Sequence, residues 1–158
     1  MPETLSHLLD NLIQTELTHL RAFPDNRSAI RPAGETSWSP REELGHLIDS
    51  AINNHVRFVA ASIQPEYRGP SYAQNEWVRA HGYQQMPWLS IVDSWAQHNA
   101  LIAIAVRNIP EDKTQTVCFV GSGEPVSLQF LVEDYVLHAQ HHIDHLLERP
   151  QVTPYPRP

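Results

Sequence analysis

A chain of 158 residues is long enough to bury one proper core, and its formal charge of −7, eighteen acidic residues against eleven basic ones, argues against nucleic acid as a partner because a phosphate backbone is repelled. No apolar run reaches membrane-spanning length, and the amino terminus, MPETLSHLLD, lacks the basic-then-apolar order of a signal peptide, so a cytoplasmic protein without membrane contact is expected. The single cysteine, Cys118, excludes an internal disulfide and a cysteine-rich zinc site and fits a reducing compartment.

Leu5, Leu8, Leu9, Leu12, Ile13, Leu20 and Phe23 recur at helical spacing and predict a first amphipathic helix that stops before Pro24. Residues 24–37 read as a loop. Ser39 is placed as an N-cap, Pro40 suits the first helical position and Glu42 completes a Ser-x-x-Glu capping box. The second helix runs to about Ser62, with Leu44, Leu47, Ile48, Ala51, Ile52, Phe58 and Val59 as its apolar face. Residues 64–86 are polar and aromatic, too long for a turn, and loops of that length often line a site. Pro87 opens a third helix through Trp88, Ile91, Val92, Trp95, Ile102 and Val106, which ends before Pro110. The β-branched run TVCFV suits a short strand or hairpin. Ser127 begins a fourth helix, which Pro150 ends. The pattern predicts an all-α four-helix bundle over residues 1–150, with at most a minor strand pair near 116–120 and a proline-rich, extended tail over 151–158.

The chain has ten histidines, four of them between His138 and His145. His138 and His142 stand four residues apart on the fourth helix, so their rings project from consecutive turns, the spacing at which a helix offers two nitrogens to one metal ion. His141 points elsewhere, and a His-x-x-x-His pair also arises by chance on solvated helices; His141 and His145 form another. The position of His138 and His142 beside the aliphatic stripe of Leu128, Val132, Val136, Ala139, Ile143 and Leu147 favours the bundle interior. For a third ligand, periodicity alone points to His55, on the apolar face of the second helix. His46 lies nearly opposite, sharing its flank with Asp49, Ser50 and Asn53.

The run WSPREELGHLIDSAINNHVRF resembles the second helix of the DinB-like metalloproteins, and YVLHAQHHIDHL resembles their last helix. The segment SYAQNEWVRA also has the Tyr and Trp spacing of the YfiT type, described as metal-dependent hydrolases and related to bacillithiol S-transferases. The resemblance covers most of the chain from Trp38 to Leu146. Carried over residue by residue, it implies His46, His138 and His142 as ligands of one divalent ion, nickel or zinc, and overrules His55. It also implies a homodimer of four-helix bundles acting on a small-molecule substrate.

Three neutral imidazoles leave coordination positions open, as a catalytic rather than a structural ion requires. Water or a low-molecular-weight thiol bound there loses a proton more readily, so the resemblance implies a hydrolase or a thiol S-transferase and leaves the choice open. The alternative is a non-enzymatic metal-binding or interaction bundle. Asp134 is placed to orient His138, and Asp49 or Asn53 to orient His46. Trp77, Tyr83 and Trp88 are candidate walls of the substrate pocket, though core packing is the commoner role for such residues. Cys118 reads as a buried apolar residue without a partner base.

Overall fold

Ser39 starts the helix on which the site depends. Its side chain accepts the Glu42 amide N–H while the Glu42 carboxylate accepts the Ser39 amide N–H, and Pro40 occupies the first turn. The box satisfies two of the amides that a helix start leaves open. The computed structural model describes residues 2–151, 153, 155 and 156. Its elements are α1 (Pro2–Ala22), a short α2 (Asp25–Ser28), α3 (Pro40–Ile63), β1 (Glu66–Gly69), α4 (Gln74–His81), α5 (Trp88–Arg107), β2 (Val117–Val120), β3 (Val126–Ser127) and α6 (Leu128–Leu146). The tail expected over 151–158 falls partly outside the described residues.

The four long helices form the bundle, but not in simple chain order. Helix α1 packs on α5 and α6, and α3 packs on the same two, so α1 and α3 face each other across a diagonal. The connections 23–39 and 108–127 therefore each cross the bundle. One apolar cluster, around Leu20, Leu47, Trp88, Trp95 and Ile143, fills one half of the interior. A second, around Leu9, Phe58, Ile102, Cys118 and Val132, fills the other. Within the core, Tyr135 donates to Asn99 Oδ1 at 2.6 Å, and Asn99 donates to the Trp95 carbonyl at 2.8 Å. That chain of bonds lets buried polar groups sit among apolar neighbours at little cost. Leu8 and Val59, counted above on apolar faces, are exposed.

Residues 64–86 are not a plain loop. β1 pairs in parallel with β2, Tyr67 opposite Cys118, and β3 pairs antiparallel with β2, Cys118 opposite Val126. The expected strand pair is thus the core of a three-stranded sheet, completed by a strand from the far connection. Ser127 caps α6 as expected, its hydroxyl accepting the Phe130 N–H. The sheet ties the segment leaving α3 to the segment entering α6, and these are the two helices that carry the clustered histidines. At the opposite end, Arg149 bonds both Asp144, on α6, and the buried Glu16 of α1.

Candidate metal centre

His46 on α3 and His138 and His142 on α6 converge, offering three ring nitrogens within 4.8 Å of one another. The Nε2 atoms of His46 and His138 stand 3.1 Å apart. Two nitrogens bound to one zinc ion at about 2.0–2.1 Å are separated by roughly 3.0–3.4 Å, so the spacing fits a shared divalent ion. Burial supplies the right protonation state. His46 is pushed down to about 3 by burial and then by the charge of His142. His138 is pushed down to about 2 by burial, then by His142, His46 and His141. Both imidazoles are therefore neutral at physiological pH, the form that binds metal.

Neighbouring groups hold the rings. Glu43, one turn before His46 on α3, accepts from His142 Nδ1 at 2.9 Å and from His145 Nδ1 at 2.8 Å. An acceptor on Nδ1 leaves Nε2 as the coordinating nitrogen and raises its basicity. Trp38 lies over His46, ring centroids 4.8 Å apart. His46 Nδ1 is buried without a partner, because neither expected acceptor turns to it. Asp49 instead accepts from the Tyr83 hydroxyl at 2.7 Å and from His81 Nδ1 at 2.8 Å, while Asn53 donates to its own helix backbone. Burial raises the Asp49 carboxyl, and its bond from Tyr83 and the nearby His81 oppose the rise. Asp134 lines the cavity that His138 borders.

His46 and His138 open onto a cavity of about 320 Å³, within the range of small-molecule sites. Its other walls include Ser50, Asn54, Arg57, Tyr72, Asp134 and Tyr155. None of the three aromatic residues expected as pocket walls is among them. Tyr83 and Trp88 are core residues, Trp88 donating to the Leu20 carbonyl at 2.7 Å, and Trp77 packs on Tyr72 and His81. His55 lies apart from the cluster, its ring against His98 in an apolar groove between α3 and α5. Cys118 is fully buried, its thiol pushed up to about 11 by desolvation. A thiol so placed is a poor nucleophile.

The family model described as the DinB superfamily matches residues 3–146. The chain belongs to the DinB superfamily. A Bacillus mycoides relative, provisionally named a metal-dependent hydrolase, is 23% identical over 77% of this DinB chain and 70% of its own length. A relative from Halalkalibacterium halodurans with the same provisional name is 21% identical over 85% of this chain and 78% of its own. Among solved structures, YfiT from Bacillus subtilis, described provisionally as a metal-dependent hydrolase with an unusual four-helix bundle topology, matches with a TM-score of 0.81. It is 17% identical, over 93% of this chain and 84% of that one. A variant of the mycothiol-dependent maleylpyruvate isomerase matches at 0.74 and 16% identity, over 92% of this chain but 60% of that one. At these identities the structural likeness is one of DinB fold.

Sequence reasoning missed three contributors to this DinB site. Glu43 carries a signal only in retrospect, being one helical turn from His46; its partners lie on another helix. Tyr72 falls in the 64–86 stretch and in the SYAQNEWVRA match, signals that point to the segment without singling out this ring as a cavity wall. Tyr155 belongs to the tail, and its ring packs 5.3 Å from His138 and 5.4 Å from His141, centroid to centroid.

Proposed function

We propose that this chain is a metal-dependent enzyme in which His46, His138 and His142 hold one divalent ion, nickel or zinc, beside a small-molecule pocket. The observation that carries the reading is the convergence of three imidazole nitrogens within 4.8 Å, with His46 and His138 held neutral by burial at the head of an open cavity. When bound, such an ion acts as a Lewis acid that makes water or a small thiol nucleophilic near neutral pH. The chain's own part is to hold the ligand rings, through Glu43 and Trp38, and to wall the approach with Ser50, Asn54, Tyr72 and Tyr155. No serine or cysteine of the chain is assigned as nucleophile. The provisional hydrolase names of the relatives favour water, and the thiol-dependent isomerase among the structural matches favours a thiol. Turnover screened on esters, amides and thiol–electrophile pairs is expected to vanish with a chelator and return with nickel or zinc. Turnover that survives full chelation would sink the reading, and a bound ion with no turnover in any assay would favour a non-enzymatic metal-binding bundle.

We also infer that the protein acts as a homodimer through the apolar face that α3 and α5 leave uncovered. Val56 and Ile63, 63% and 72% exposed, line with Val59, Ala60 and His98 an open apolar groove between the two helices. Exposed aliphatic groups gathered in one place mark interaction surfaces. Sedimentation is expected to give a dimer that Val56→Glu with Ile63→Glu converts to monomer. A wild-type monomer at tens of micromolar would overturn this assignment.

A further inference from the structure

One wall of the cavity carries a regular polar stripe. His46, Ser50, Asn54 and Arg57, at steps of four, four and three along α3, all border it, which places them on one face of the helix. His46 lies at the metal end. Arg57 lies eleven residues further along, about 16 Å on the helix axis. Helical side chains lean towards the N-terminus, and Arg57 does so: its Nη1 donates to Asn54 Oδ1 at 3.3 Å and its Nη2 to the Pro70 carbonyl at 3.0 Å.

The electrostatics of Arg57 set it apart. The other partly buried arginines among the described residues pair with carboxylates, Arg31 with Glu42, Arg41 with Asp25 and Arg149 with Glu16 and Asp144. Arg57 is only 8% exposed, yet among the described residues it makes no ion pair. Its two bonds go to neutral oxygens, which leaves N–H donors and a full charge to be satisfied. A guanidinium this far from bulk water, bordering a cavity without a counterion of its own, is suited to an arriving anion. The cavity carboxylate, Asp134, sits on α6 one turn before His138, nearer the metal end. At the far end of the cavity, Arg57 is therefore placed to attract an anion.

We propose that Arg57 is a specificity-determining residue that binds an anionic group, a carboxylate in the first instance, on the substrate's end remote from the reacting atom. The substrate class is then a small acid shorter than ~16 Å, with its reacting group at the histidine end and its charge at Arg57. This proposal rests on the metal-enzyme reading for the position of the reacting group, but the anion site stands or falls without it.

The probes are 6-mercaptohexanoic acid and its uncharged counterpart, 6-mercapto-1-hexanol. Calorimetric titration of the metal-free full chain is expected to show the acid binding roughly tenfold tighter than the alcohol, the size of one charge-assisted hydrogen bond. Arg57→Gln should abolish the preference without changing affinity for the alcohol, and Arg57→Lys should keep part of it. No preference in the wild type, undetectable binding of both probes included, overturns the proposal, as does a preference that persists in Arg57→Gln. The same titration on cobalt-loaded protein adds a sulfur-to-cobalt charge-transfer band when the thiol reaches the ion. A charge preference without that band leaves the Arg57 site intact and counts against the metal reading alone.

Discussion

Replacing His138 by alanine is expected to empty the metal site, taking the purified protein from up to one divalent ion per chain to a small fraction of that. His138 is central to the cluster: its Nε2 is 3.1 Å from that of His46, and its ring is 4.7 Å from that of His142 between centroids. His46→Ala and His142→Ala should do the same. Glu43→Gln removes the charge that orients His142 and should weaken binding by about 10–100-fold, the usual cost of losing a partner behind a ligand. The contrasts give the prediction its force. His141 stands about 100° round the helix from His142, and His55 packs on His98 away from the cluster. Alanine at either position should leave occupancy near the wild-type value, read by elemental analysis after dialysis. Should His55→Ala empty the site while His46→Ala keeps it filled, the assignment of ligands fails.

The second large effect is on stability, and it concerns a residue with no side chain. Alanine in place of Gly45 should lower the melting temperature, although alanine in mid-helix normally gains about 1 kcal/mol over glycine. A Cβ there would stand 2.1 Å from Cδ2 and 2.3 Å from Cγ of Tyr83. Tyr83 has nowhere to go, being 4% exposed and bonded through its hydroxyl to Asp49. Overpacking of this kind costs typically 1–3 kcal/mol and occasionally more, a fall of roughly 3–10 °C for a chain of this size. Tyr83→Ala clears the ring away, so the added cost of Gly45→Ala should shrink or reverse in the double variant. A single Gly45→Ala variant that melts higher than wild type would mean that Tyr83 does not lie on the α3 backbone.

Much of the architecture is written in local signals. The capping box at Ser39, the prolines at positions 24, 87 and 110, and the apolar periods place all four long helices within a few residues. The choice between His55 and His46 shows where such signals stop. An apolar stripe identifies the inward face only when the opposite face meets water. From Glu42 to Ala51 every residue of α3 is buried, because α4 and the Tyr83 turn cover the side that α5 and α6 do not. Hydrophobicity therefore misleads there, and family resemblance was needed to point to His46. The sheet was illegible for another reason. The run EYRG is only four residues, too short for its alternation to stand out, and its partner VCFV lies some fifty residues away. Nothing in either segment announces a parallel pairing that the rest of the fold must bring about. Glu43 was invisible likewise, since its value lies in rings that approach it from α6.

The three-stranded sheet has a mechanical corollary. It fastens α3 and α6 together where the first ends and the second begins, whereas the clustered histidines sit towards the other end of the pair. From Leu128 to His142 is fourteen residues, a lever arm of about 21 Å. A swing of α6 by only about 3° around its anchored end would carry His142 through ~1 Å, enough to separate a working constellation from a slack one. The histidines' end is secured by side chains, Glu43 to His142 and His145 and Arg149 to Glu16, rather than by backbone ladders. The geometry of this cluster is thus delegated to a few side-chain fastenings at the tip of a long arm, and sequence changes at its pivot can shift it without touching any of the three histidines.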